Sequence, residues 1–368
     1  MCEYNPFIPP PERATLVITG RCNLSCRYCY YANEMQQRND LPTDAWKQFM
    51  VELADLGVMH VTLTGGEVFL HPDLFDIIDS VIKNRMRYGL ITNATLITPE
   101  KLQNFKDGKR QQRLDFIQVS IDGDIADIHN LSRPNSFDRA VRGLRWIKDA
   151  GLPVTARLTL NTKNVDRLEQ TITFLLDDVG LDDISTGEVL SVGSACRPGS
   201  QMALSAADKQ KAAGIFTSLA QKYPGRIRAA AGPQAAHTMY DQMEQARSGG
   251  ALARDWKMGC LSACGCVFSQ MDVLHDGSII PCTMMSGPVL GKINQDSLRL
   301  IWERHPVLQQ MRSRDQVRMA AIAECRGCEW NAYCNGGCPG GVYQHQQNFL
   351  LPDPQFCYRN YLKELSSV

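Results

Sequence analysis

Between Ala14 and about Ser191 the chain alternates short apolar runs (ATLVIT, HVTLT, YGLIT, FIQVSI, VTARLTL, DDISTGEVL) with amphipathic stretches such as LPTDAWKQFMVELADLG, LFDIIDSVIKNRM and FDRAVRGLRWIKDAG. Strands joined by helical crossovers run parallel, so this alternation predicts six βα units around a parallel sheet. The punctuation agrees: Thr43 stands three residues ahead of Trp46 as a cap, Pro99 falls in a first turn, and Gly57 and Gly151 follow helical runs. Strands covered on both faces should be almost wholly apolar. In VTARLTLN, however, Thr155, Arg157, Thr159 and Asn161 share one face, and Val154, Ala156, Leu158 and Leu160 share the other. One face therefore lines a polar cavity. A closed eight-stranded barrel fills its interior with packed side chains. Six strands with a polar inner face predict an open, partial β/α barrel around a ligand, an α/β fold.

SAADKQKAAGIFTSLAQKY reads as a further helix, and the Ala/Gly-rich stretch up to Trp256 as a helical connector. From Gly259 the cysteines dominate, until LIWERHPVLQQMR. The expected organisation is an extension over 1–13, a barrel over 14–230, a connector over 231–257 and a cysteine-rich unit over 258–368. Lysine plus arginine equals aspartate plus glutamate at 39 each, so no basic excess points to nucleic acid or an anionic membrane surface. The start, MCEYNPFIPPPERATLV, has no signal-peptide pattern, and no stretch approaches the ~20 apolar residues of a membrane span, so a cytoplasmic protein is expected. The cytosol keeps thiols reduced. Fourteen cysteines there indicate metal rather than disulfides, and they bunch: three at 22–29, four at 260–282, five at 325–357, with Cys2 and Cys196 apart and read as incidental.

RCNLSCRYCYY sets Cys22, Cys26 and Cys29 on a loop just after the first strand. Clustered thiolates ligate iron-sulfur clusters, whereas a structural zinc site usually takes four protein ligands, so the alternative here is zinc completed by a distant His or Cys. Three ligands on a four-iron cube leave one iron open to a reacting partner. With Tyr28 before the last cysteine, the CxxxCxxC motif resembles the radical S-adenosylmethionine enzymes, which implies a TIM-like partial barrel and a 4Fe-4S cluster whose open iron is chelated by S-adenosylmethionine. The resemblance extends to TGGEVF, where Gly65, Gly66 and Glu67 match the stretch that grips the methionine amino group. TNATL, with Asn93, resembles the family's TNG turn, Ala94 replacing the glycine. In SIDG, Ser120 and Asp122 match positions associated with the ribose. In HNLSR, Arg133 competes with the inward-facing Arg157 for the carboxylate.

CRGCEWNAYCNGGC followed by DPQFC, with Gly277 ahead of Cys282 and then LGKINQDSLRLIW, resembles the SPASM domain from about Cys260 to Cys357. That resemblance implies two auxiliary 4Fe-4S clusters, three clusters in all. Cys325, Cys328, Cys334 and Cys357 would hold one. Cys266, Cys282 and Cys338 would hold the other with a fourth ligand from Cys260 or Cys264, Cys260 being preferred for its offset from Cys266.

The implied chemistry is one-electron cleavage of S-adenosylmethionine to methionine and a 5′-deoxyadenosyl radical, hydrogen abstraction from substrate, and a net oxidation. Relatives of this type mostly modify ribosomally made peptides, so the expected activity is an oxidative carbon-carbon or thioether crosslink, or a related oxidation. The expected partners are a peptide or small-protein substrate, a flavodoxin- or ferredoxin-type electron donor, and a leader-binding protein supplied separately. HNLSR and Tyr30-Tyr31 also resemble sulfatase-maturing enzymes, but their general-base aspartate directly follows an auxiliary cysteine, and Thr283 follows Cys282 here. A tetrapyrrole-modifying enzyme and a metal-stabilised scaffold complete the alternatives.

Overall fold

The computed structural model describes residues 8–35, 39–228, 232–249, 259–285 and 287–367. The six expected strands form: β1 (Arg13–Val17), β2 (His60–Thr64), β3 (Arg87–Thr92), β4 (Leu114–Ser120), β5 (Val154–Leu160) and β6 (Ile184–Glu188). They pair in parallel in sequence order, and a short β7 (Ile227–Arg228) continues the sheet beyond β6. Helices Thr43–Leu56, Leu74–Lys83 and Phe137–Asp149 are the main crossovers, their apolar faces turned to the sheet. Gly57 ends the first of these at φ +105°, the left-handed conformation a side chain would strain. Thr43 is not that helix's cap. It is the first helical residue, and its hydroxyl donates to Asp73 at 2.6 Å.

β5 alternates as the sequence indicates: Ala156, Leu158 and Leu160 are buried beneath the helices, while Thr155, Arg157 and Thr159 are half-buried on the inner face. Register continues that inner layer across the sheet, Gln118 beside Thr155, and Ser120 beside Arg157 beside Ser185. Where the layer narrows, the Phe116 ring lies over Gly89; a Cβ there would stand 2.5 Å from it.

Beyond β1, on its other edge, the sheet continues with β8 (Gln270–Val273), which is parallel to β1 and places Asp272 beside Thr15. β9 (Ser278–Ile280) turns back antiparallel through the Asp276-Gly277 turn, and β10 (Gly291–Lys292) completes a ten-stranded sheet. The boundary expected between 257 and 258 falls outside the described residues. The chain on either side of it shares this sheet and one apolar core, in which Leu16, Trp46 and Phe49 join Val273, Ile279, Trp302 and Met311. Each such buried side chain contributes ~1.5–3 kcal/mol by leaving water. Trp302 also donates its indole N–H to the Pro9 carbonyl at 2.8 Å. The Ala206–Lys222 helix starts with a capping box between Ser205 and Asp208, and the connector holds a helix over Pro233–Gly249.

Candidate functional site

The carboxyl ends of the parallel strands carry the candidate site, as ligand sites in α/β sheets do. After β1, Asp40 pins the chain by accepting from Thr19 Oγ1 at 2.5 Å and from Gly20 N at 2.7 Å. The loop then presents Cys22, Cys26 and Cys29 to one cavity, lined also by Tyr28, Gly65, Gly66, Asn93, Ser120 and Arg133. Burial is the chief cause pushing the Cys22 thiol up to about 12 and that of Cys29 up to about 11. Thiols this reluctant to ionise alone would give up their protons to a bound metal centre, and the donor set suits iron.

Gly65 and Gly66 serve the packing of this loop. A Cβ on Gly65 would stand 2.8 Å from the Thr19 carbonyl oxygen, and one on Gly66 2.4 Å from that of Arg21 and 2.8 Å from Cys22 Cβ. Only glycine lets the β2 loop run against the three-cysteine loop and donate Gly66 N–H to Thr19 at 2.8 Å and Glu67 N–H to Arg21 at 2.8 Å. Glu67 is buried at 1% exposure, and its carboxylate accepts from Thr92 Oγ1 (2.6 Å), Asn93 N (2.8 Å) and Phe69 N (3.2 Å). It ties β2 to the turn after β3. In that turn Asn93 donates to Asn23 Oδ1 at 2.9 Å, fixing the turn to the cysteine loop.

Asp122 is also committed inside the protein. Its Oδ2 accepts from the Tyr28 hydroxyl and from Arg133 Nε at 2.6 Å, and its Oδ1 from Thr159 N at 3.0 Å. Arg133 reaches Cys26 Sγ at 3.7 Å and packs over the Tyr28 ring. Burial works against its charge, but Asp122, Tyr28 and Cys26 outweigh that and hold its pKa high. Arg157 lies across Gly187, where a Cβ would meet Nη2 at 2.4 Å, and donates no hydrogen bond among the described residues. Arg133 lines the cavity of the three thiols with Nε and Nη1 engaged, whereas the whole Arg157 guanidinium is without a hydrogen bond among the described residues.

The C-terminal cysteines form two groups. Cys325, Cys328, Cys334 and Cys357 line one cavity with Trp330, Phe356 and Tyr358. In the other, the Cys266 thiol is within hydrogen-bonding reach of Cys264 and Cys282, and Cys338 is close enough for Cys264 and Cys282 to raise its pKa, although burial is the larger cause. Cys260, preferred from its offset, has its backbone bridged to Arg318, with Leu261 N donating to Val317 at 2.9 Å and Met319 N to Gly259 at 2.8 Å, while Cys264 is the neighbour of the Cys266 thiol. Among the described residues no three His, Cys, Asp or Glu side chains close on a single ion. Cys22, Cys26 and Cys29 line one cavity and Cys325, Cys328, Cys334 and Cys357 another. Cys196 is exposed, and Cys2 lies outside the described residues.

Asp272, passed over in the sequence, is fully buried on the inner edge of β8. It accepts from Gln270 Nε2 at 2.7 Å and from the backbone of Thr283 at 2.6 Å, and burial is the main cause pushing its carboxyl up to about 6. Its signal was the alternating QMDVLHDGSII, a hairpin with an Asp-Gly turn.

Three thiols at the carboxyl edge of a partial barrel, with further cysteines gathered in the C-terminal unit, are the donor set of an iron-sulfur enzyme. Residues 16–175 match the radical SAM superfamily and residues 264–329 the SPASM iron-sulfur cluster-binding domain. The chain belongs to the radical S-adenosylmethionine superfamily and carries a C-terminal auxiliary-cluster domain. It is 27% identical over 359 residues to the AdoMet-dependent heme synthase of Methanosarcina barkeri, covering 95% of this chain and 97% of that one. It is 23% identical over 356 residues to the PqqA peptide cyclase of Streptomyces rochei, covering 95% and 90%. Its fold is that of Streptococcus suis SuiB, with a TM-score of 0.71 at 16% identity over 95% of this chain and 77% of SuiB.

Proposed function

We propose that the protein oxidatively modifies a ribosomally made peptide, forming a carbon-carbon or thioether crosslink or a related oxidation. The bound cluster and S-adenosylmethionine supply one-electron cleavage and hydrogen abstraction, and the protein supplies position and a water-poor chamber. Cys22, Cys26 and Cys29 would hold the cleaving cluster. Asn93, Ser120 and the glycine loop shape the adjoining pocket, and Arg157 offers a bidentate partner to the cofactor carboxylate. Asp122 and Glu67 act one layer further out, fixing Tyr28, Arg133 and the Asn93 turn. Cys325, Cys328, Cys334 and Cys357, and Cys264, Cys266, Cys282 and Cys338, would hold two auxiliary clusters suited to taking an electron from the substrate. A flavodoxin- or ferredoxin-type protein would supply the first electron, and a separate protein could present a leader peptide.

The observation carrying the peptide reading is the inner layer. Gln118, Ser120, Thr155, Thr159 and Ser185 are uncharged hydrogen-bonding groups suited to amides, with Arg157 the single cation among these paired positions. A tetrapyrrole bearing several carboxylates would call for several cations. The near full-length similarity to a heme synthase favours that second reading. Mass spectrometry separates the two: co-expression with candidate precursor peptides should give a product lacking two hydrogens. Loss of carbon dioxide from a tetrapyrrole, with every peptide unchanged, would replace this proposal with the second reading.

A further inference from the structure

Arg314 follows the Pro306–Arg312 helix and is 0% exposed. Its Nε donates to the Ser262 carbonyl at 2.7 Å and its Nη1 to that of Leu351 at 3.2 Å. Nη2 is buried and has no hydrogen-bond partner among the described residues, and no ion pair among them includes Arg314. The charged neighbours acting on it are Cys338 first, then Cys264, then Asp353. Burial brings its pKa down only to about 10, so it is a cation at neutral pH. An isolated buried cation is costly, and a free N–H beside it adds the penalty of an unmade hydrogen bond. The protein tolerates both at one place, where Arg314 holds the Ser262 carbonyl two residues before Cys264 and its electrostatic partners are Cys338, Cys264 and Asp353.

We infer that Arg314 is the built-in counter-charge and N–H donor for the cluster held by Cys264, Cys266, Cys282 and Cys338, raising its reduction potential so that it accepts an electron readily. The inference rests on the auxiliary-cluster reading above. Net charge and hydrogen bonds to sulfur are among the factors that set such potentials. Arg314 is thus a positioning and tuning residue, distinct from the ligands.

The test is a spectroscopic redox titration of reconstituted protein in a Cys22, Cys26 and Cys29→Ala background, comparing Arg314 with Arg314→Lys and Arg314→Met. No iron in the Arg314 protein would refute the cluster reading itself. With iron present, Arg314→Met should bind the full complement, and one auxiliary signal should shift negative so that its reduced-to-oxidised ratio at a fixed potential falls at least tenfold, 59 mV for a one-electron couple. Arg314→Lys should stay within about threefold of Arg314. Identical potentials in all three proteins overturn the inference, as does a loaded Arg314→Lys shifted as far as Arg314→Met. If Arg314→Met loses its iron, Arg314→Lys decides. Loading with a near-native potential sustains the inference, and loss of iron there too reduces Arg314 to a brace for the Ser262 and Leu351 carbonyls.

Discussion

The Tyr31 hydroxyl is hydrogen-bonded to Nδ1 of His275, 244 residues further along the chain, and the two rings meet edge to face with centroids 5.7 Å apart. Burial is the chief cause holding the phenol well above its usual range, so it stays protonated. His275 also fills the space beside Gly20, where a Cβ would stand 2.8 Å from Nε2. The loop bearing the three thiols is therefore fastened to the β8–β9 turn. Tyr31→Phe keeps the ring and removes the hydroxyl; we expect about 1–2 kcal/mol of lost stability, read as a lower urea midpoint, with iron content unchanged. An unmoved midpoint would show that ring packing alone makes this joint.

Glu67→Gln replaces a carboxylate whose Oε1 takes Phe69 N and Thr92 Oγ1 and whose Oε2 takes Asn93 N with an amide that keeps one acceptor oxygen, so its NH2 must face either Asn93 N or the Phe69 and Thr92 donors. Stability should fall by roughly 2–3 kcal/mol and S-adenosylmethionine affinity with it, because the Asn93 turn borders the pocket. A thermal melt and equilibrium dialysis measure the two. Weaker binding with an unchanged melt would instead put Glu67 in direct contact with the cofactor.

Cys264→Ala is expected to lower iron and sulfide by one cluster after anaerobic reconstitution, while Cys260→Ala leaves both unchanged. The ground is placement: Cys264 lies against Cys266, and Cys260 in the bridge to Arg318. Iron loss confined to Cys260→Ala would restore the assignment made from spacing.

His129 is fully buried, with Nδ1 accepting from Asp122 N at 3.2 Å and Nε2 facing Ser136 Oγ at 3.0 Å. Burial is the main cause pushing its pKa from 6.5 down to about 4. The unfolded chain takes up this proton below pH ~6.5 while the folded chain refuses it until about 4. The contribution is therefore complete above pH ~6.5, is lost as pH falls through that window, and amounts to on the order of 3 kcal/mol. Urea unfolding of the native protein and His129→Gln from pH 7 to 4 should show a steeper decline for the native protein; parallel curves would remove His129 from the account.

The six parallel strands were legible because alternation in stretches such as VTARLTL is dictated by which face each side chain must bury. β8 and β9 were not, because the cysteine spacing around them masked an ordinary hairpin pattern. The glycines of TGGEVF line the cavity, and they also pack against Thr19 and Arg21, a proximity that only the folded β1–β2 pairing creates. Ala94 stands where the resemblance implies glycine and adopts φ +57°, a conformation costing an alanine ~1–2 kcal/mol. The tie between Arg133 and Asp122 needed coordinates, since it joins a helix end to a strand end.

The pairing of β8 with β1 also sets a timetable for biosynthesis. Gln270 reaches Thr15 across a separation of 255 residues. At translation rates of ~5–20 residues per second, the nascent first strand waits roughly 10–50 s for its second neighbour, an unpaired edge throughout. The Tyr31–His275 fastening comes equally late. Iron loaded at Cys22, Cys26 and Cys29 before then would sit on a loop whose C-terminal brace has not been made, so cluster insertion belongs after β8 has paired with β1.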